Sequence, residues 1–93
     1  MTVAFSTRAL SQLRAVADYV KERSPQSARN VEDAIRDATR RLARHPYSGR
    51  ATDEPGVRKL VTTRFGYLIL YRVIETRSEV VILRVRHGAR DLP

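Results

Sequence analysis

The sequence predicts an α+β domain in the order β-α-α-β-β-β, a helical hairpin packed on one face of a small, mainly antiparallel sheet. Three observations predict it. Apolar residues of the first half recur every three or four positions, which is the helical period. After residue 56 they fall instead into three strand-like runs. The break between the two helices and the joints between the three strand runs are short, which implies a helical hairpin and a β-meander. At 93 residues the chain reads as one domain, 1–93, with no repeat, linker or low-complexity segment.

"VAF" (3–5) is a short apolar strand. Ser6 or Thr7 caps the first helix, whose apolar stripe is Leu10, Leu13, Val16 and Val20. "RSPQ" stops it. Ser24 caps the second helix, with Pro25 at the first helical position, where a missing N–H costs nothing. Ala28, Val31, Ile35, Ala38 and Leu42 form that helix's stripe, and the break at Ser24 folds the two helices against each other. "HPYSGRATDEPG" (45–56) is turn chemistry and reads as the one loop. The strand runs are 57–64 "VRKLVTTR", 67–74 "YLILYRVI" and 80–87 "VVILRVRH". Nothing local says where the first strand enters the sheet.

Composition narrows the function classes. There is no cysteine, so neither a disulfide framework nor a thiolate metal site is available, and a reducing cytoplasm is the expected home. No segment reads as a signal peptide or membrane span. The net charge of +8 is lopsided: residues 1–37 hold six Lys/Arg against five Asp/Glu, and residues 38–93 hold twelve against five. Sixteen of the eighteen cations are arginine, whose planar fork suits phosphate and carboxylate. Nucleic acid or an acidic protein is therefore the favoured partner. A GC-rich genome would also enrich arginine, though not in one half of the chain.

Alternation across the strands sorts the sheet into faces. Tyr67, Ile69, Tyr71 and Val73 in the middle run, and Val81, Leu83 and Val85 in the last, are uniformly apolar and are expected to meet the helices. The opposite face then carries Leu68, Leu70, Arg72, Ile82, Arg84 and Arg86, since a buried unpaired arginine costs several kcal/mol or so. With no helix left to cover it, this mixed basic and apolar face calls for a partner. The bland alternative is that arginine stems shield the leucines.

Three stretches together carry a family resemblance: "RRLARHPYSGR" (40–50), "GVRKLVTTRFGYLILYRV" (56–73) and "VVILRVRHGARD" (80–91). In this order and spacing they resemble the ParE/RelE superfamily of type II toxin–antitoxin toxins, over essentially the whole chain. The resemblance implies one of two activities. RelE-like toxins are ribosome-dependent mRNA endoribonucleases, whereas ParE-like toxins stabilise the cleavage complex of DNA gyrase. Either kind is held inactive in a hetero-oligomer by an antitoxin with an acidic, partly disordered tail. Leu68, Leu70, Arg72 and Ile82 are expected to contact that antitoxin.

Cleavage through the 2′-OH needs a base, an acid and cations around the phosphate. RelE-like toxins resemble one another in a middle-strand arginine, and aligned on Tyr71 its place here is taken by Leu68. A C-terminal tyrosine common in nucleolytic members is also missing after Tyr71. If the chain were a ribonuclease, His87, Arg84 and Arg86 would be its catalytic set, yet alternation puts His87 on the side of Val85, away from the two arginines. His45 reads as a helix cap and Asp91 as an arginine partner. No metal set, phosphate loop or Ser/His/Asp constellation is evident, and no cofactor is expected. The resemblance thus favours the ParE-like branch, with no catalytic residues. Arg84, Arg86, His87, Arg90, Arg64 and Tyr67 would engage gyrase, and DNA would be touched only through gyrase or the antitoxin complex. A degenerate toxin acting as antitoxin partner and co-repressor is a third reading.

Overall fold

A computed structural model describes residues 1–87. It contains β1 (Thr2–Phe5), α1 (Thr7–Arg23), α2 (Pro25–Arg44), β2 (Arg50–Ala51), β3 (Arg58–Val61), β4 (Tyr67–Ile74), a 3₁₀ turn (Glu75–Arg77) and β5 (Glu79–His87). Two helices pack on a five-stranded sheet of order β1-β5-β4-β3-β2. The predicted α+β architecture therefore stands. Three strand pairs are antiparallel, and β1 lies parallel to β5, so the first strand occupies the edge beyond the last.

The helix ends follow from two serines. Ser6 caps α1, its Oγ accepting the Ala9 N–H at 3.0 Å. Ser24 serves both helices: its N–H donates to Val20 O at 2.8 Å, closing α1, while its Oγ accepts the Ser27 N–H at 3.3 Å, opening α2. One extended residue at the joint leaves the helices no other course than to turn back on each other. α2 buries Val31, Ala34, Ile35, Ala38 and Leu42 against the sheet. In α1 the inward line begins at Ala9, not at Leu10: Ala9 and Val16 are buried with Leu13 and Val20 packed alongside, and Leu10 is turned to solvent. Leu13, Val16 and Val20 hold their expected places, and only the first position of the stripe shifts, from Leu10 to Ala9.

Two strand boundaries differ from expectation. The 45–56 stretch contains β2, a two-residue strand pairing Arg50 with Lys59 and Ala51 with Arg58. β3 stops at Val61 because Thr62 spends its side chain on the turn. Its Oγ accepts the Tyr67 N–H at 2.9 Å and donates to Arg64 O at 2.6 Å. Phe65 and Gly66 then complete the turn with φ of 66° and 61°.

The larger correction concerns β5. Leu70 pairs with Arg84, but Tyr71 pairs with Ile82, so Leu83 is an extra residue, a β-bulge. Alternation changes phase there. Before the bulge Val80 and Ile82 point into the core; after it Val85 does. Val81 and Leu83, expected inside, are only half-buried on the other face. The bulge lets Val80, Ile82 and Val85 all be buried while Arg84 and Arg86 stay outside, avoiding the cost of an unpaired interior charge. The core is completed by Ile69, Tyr71, Tyr67, Leu60 and Leu42. Each buried aliphatic side chain contributes about 1.5–3 kcal/mol.

Candidate functional site

Residues that face away from the helices form the candidate site. On β4 these are Leu68, Leu70 and Arg72, all half-buried; on β5, Leu83, Arg84 and Arg86; on β3, Lys59 and Val61 at the margin. Leu68 stands opposite Arg86 and Leu70 opposite Arg84, so leucine and arginine alternate across the ladder. Arginine stems cover part of the leucine surface and leave the guanidinium groups outward.

A recess of about 260 Å³ opens in this face, floored by Val57, Leu70 and Leu83 and ringed by Arg8, Arg72 and Arg84, with Glu54 its one acid. Arg8 comes from the first turn of α1, which ends against β5 because Ser6 donates its N–H to Ile82 O at 2.9 Å and its hydroxyl to Leu83 O at 3.1 Å. Arg72 is steadied by Pro55 O at 3.3 Å. Gly56 beside it adopts φ +78°, a conformation that favours glycine. Arg8 and Arg84 make no hydrogen bond or ion pair among the described residues, so their donors are available to a ligand. The recess thus offers three cations around an apolar floor, one of them held by the backbone, suited to a carboxylate on an apolar chain or to a phosphate.

The expected site residues divide. Leu68, Leu70, Arg72, Arg84 and Arg86 share the open face. Ile82 does not: the bulge places it in the core with no exposed surface, so it cannot touch a partner. Tyr67 is buried too, at 3% exposure, and burial raises its hydroxyl pKa above the ordinary 10.0. Arg64 sits in the turn before β4, in a different recess beside Arg41. His87 pairs with Tyr67 across the ladder, its ring edge-on at 5.2 Å and 88°. It lies on the helix side of the sheet, opposite to Arg84 and Arg86, so these three do not form one catalytic group. His45 caps α2 through its N–H to Arg41 O at 2.7 Å. Arg90 and Asp91 lie outside the described residues. Among the described residues no three His, Asp or Glu side chains come together to hold a metal, and no helix is long and apolar enough to cross a membrane.

Sequence reasoning missed Arg8 and Gln12. Gln12 Oε1 accepts the Val85 N–H at 2.9 Å, taking the place of a strand partner where β1 has already ended. Neither has a local signal, because both roles depend on α1 running beside the far end of β5.

The pattern described as the ParE toxin of the parDE type II toxin–antitoxin system matches residues 3–92. The chain belongs to the ParE toxin family. Other comparisons agree with a ParE/RelE toxin. The chain is 35% identical to the toxin RelE2 of Caulobacter vibrioides over 88 residues, covering 95% of this chain and 96% of that one. It is 32% identical over 91 residues to Y4kP, named as a toxin, of Sinorhizobium fredii, covering 98% and 92%. The chromosomal ParDE toxin–antitoxin system of P. aeruginosa contains a chain that superposes with a TM-score of 0.74 at 28% identity, covering 91% of this chain and 92% of that one. The ParE-family chain is thus a type II toxin of the ParE/RelE superfamily.

Proposed function

We propose that the chain acts as a ParE-like toxin, binding DNA gyrase and stabilising its cleavage complex, and that an acidic antitoxin neutralises it in the cytoplasm by covering the open sheet face. The observation that carries the first part is Leu68. It occupies the middle of the open face opposite Arg86, at the position where the RelE-like resemblance would require an arginine. A leucine cannot polarise a phosphate, and His87 lies on the opposite face, so neither the cation nor the acid/base group is assembled for RNA cleavage. Arg84 and Arg86, with Arg90 beyond the described residues, are left as binding groups, and DNA is reached through gyrase rather than directly.

The antitoxin reading is supported by the leucine and arginine alternation and by Arg8 and Arg84, which have no hydrogen-bond or ion-pair partner among the described residues. An acidic, apolar-bearing segment matches both halves of that pattern. The assembly is then a toxin–antitoxin hetero-oligomer.

The test uses purified chain with gyrase and relaxed plasmid. Supercoiling should stop and linear DNA accumulate after protein denaturation. Gyrase left untouched, with mRNA cut on translating ribosomes, sinks the reading. That second reading keeps one specific support, the 35% identity to a relative named RelE2. Failure of both assays, with normal growth in cells lacking antitoxin, would instead mark a degenerate toxin.

A further inference from the structure

The bulge in β5 builds a site that regular alternation could not. Successive residues of a strand point to opposite faces. Leu83 and Arg84 nevertheless both line the recess in the open face, because Leu83 is the extra residue of the bulge. An apolar side chain is thereby set directly beside a guanidinium. Arg72 reaches the same recess from β4, and Arg8 reaches it from the first turn of α1. Three separate elements thus deliver three cations to a space of about 260 Å³.

Their charge is not compensated within the fold. Arg72 is tethered to a backbone carbonyl, Pro55 O at 3.3 Å. The side chains of Arg8, Arg84 and Glu54 make no hydrogen bond or ion pair among the described residues. Three arginines against one glutamate leave a local charge of +2. A carboxylate brings a single negative charge and is filled by one guanidinium fork. A phosphate monoester brings about −1.5 to −2 and three acceptor oxygens, which matches both the local charge and the number of arginines.

The rest of the recess says what carries the phosphate. Val57, Leu70 and Leu83 present an apolar floor, and Glu54 is a lone acceptor at the rim. An apolar floor takes the face of a base, and a carboxylate takes the hydroxyls of a ribose. We infer that the recess binds a nucleoside monophosphate, its phosphate on Arg8, Arg72 and Arg84, its base over Leu70 and Leu83, and its ribose hydroxyls donating to Glu54. A free nucleotide and the phosphorylated end of a nucleic-acid strand share this chemistry. The site binds and does not cleave. An antitoxin lying on the open face would close this recess, so the nucleotide belongs to the free chain. Its test uses neither antitoxin nor gyrase, and the two readings therefore fail separately.

The experiment titrates the ¹⁵N-labelled full chain with adenosine 5′-monophosphate, adenosine, inorganic phosphate and O-phosphoserine. The monophosphate should move the amide signals of Leu70, Arg72, Leu83 and Arg84. It should bind at least about tenfold more tightly than adenosine or inorganic phosphate. Arg84→Gln should weaken it about tenfold, the value of one charge-assisted hydrogen bond, and Arg8→Gln in an exposed helical turn decides the matter if the strand variant does not fold. Arg29→Gln, exposed on α2, lowers the net charge equally and should leave the affinity unchanged. Glu54→Leu should tighten inorganic phosphate, by removing an opposing charge, and weaken the monophosphate, by removing the ribose acceptor. Oligothymidylate with and without a 5′-phosphate separates the sources: tighter binding of the phosphorylated strand than of the free nucleotide assigns a strand end, and the reverse assigns the nucleotide. Absence of the shifts, or an equal loss in the Arg29→Gln and Arg84→Gln chains, overturns the proposal. So does O-phosphoserine binding as tightly as the nucleotide, which would assign the recess to a phosphorylated protein.

Discussion

The backbone N–H of Gly49 donates to the hydroxyl of Tyr71 at 2.9 Å, in a buried position where the two residues lie too close for any side chain at 49. A Cβ there would meet the Tyr71 hydroxyl at 2.6 Å and Lys59 O at 2.7 Å. This contact ties the 45–51 segment to the middle of β4. Arg58 holds the same segment through Gly49 O at 2.8 Å while its guanidinium lies 5.0 Å above the Tyr47 ring. Both obstacles are on rigid strands, so the backbone at 49 must give. Gly49→Ala should destabilise by about 1–3 kcal/mol, the usual cost of overpacking. Tyr71→Phe leaves the Gly49 N–H buried without a partner and should cost about 1–3 kcal/mol. Urea unfolding midpoints check both, and an unchanged midpoint in either chain removes the proposed tie.

A second prediction concerns Gln12. Its side-chain oxygen is the acceptor for the Val85 N–H, at a point where β5 has outrun β1. Gln12→Leu keeps the size and removes the acceptor, so about 1–2 kcal/mol of stability should be lost. Amide exchange at Val85 should quicken more than at Val80, which keeps β1 beside it. Equal changes at the two amides would count against a local role.

These two contacts show where reading the sequence stops short. Helix ends were legible because Ser6, Ser24 and Pro25 act on their own neighbours, and β4 was legible because Tyr67, Ile69 and Tyr71 alternate without interruption. The bulge was not. Residues 80–83 are four apolar side chains in a row, so period two fits either phase and only the partner strand reveals the slip at Leu83. Ile82 was thereby placed on the wrong face, and Leu83 with it. Arg8, Gln12 and the parallel seat of β1 are products of long-range packing. The open face survives the correction because Leu68, Leu70 and Arg72 all lie on the unbulged strand, and because the bulge at Leu83 restores the expected phase from Arg84 onward, leaving Arg84 and Arg86 on the outer side.

The tyrosines give a pH prediction. Burial raises the Tyr67 pKa, and at Tyr47 the hydrogen bond to the Glu75 carboxylate is the leading cause of a rise, followed by desolvation and the Glu75 charge, with Arg58 opposing. A raised folded-state value means that the neutral form is favoured by folding. The associated stability is therefore present below the ordinary value of 10.0 and is lost as pH climbs through the folded value. Tyrosinate absorbance of the folded chain should lag that of the chain in urea, and Tyr67→Phe should remove part of the lag. A Tyr67→Phe chain with the parent's full lag would mean that burial does not control this group.

The open face and the core now make opposite predictions for residues that alternation had grouped together. Leu68→Ser with Leu70→Ser changes half-buried side chains outside the core, so the double variant should fold with a loss of about 1 kcal/mol or less per site. Its affinity for the antitoxin should fall at least about tenfold, because the apolar half of the surface is gone. Ile82→Ala, by contrast, empties a position with no exposure and should cost about 2–5 kcal/mol while removing no surface atom that a partner could touch. Thermal melts and calorimetric titration with the antitoxin separate the two effects. If the double leucine variant unfolds, these side chains are part of the core after all. If it stays folded and binds antitoxin as well as the parent does, the partner lies elsewhere on the molecule, and the Arg8, Arg72 and Arg84 recess loses its assigned occupant.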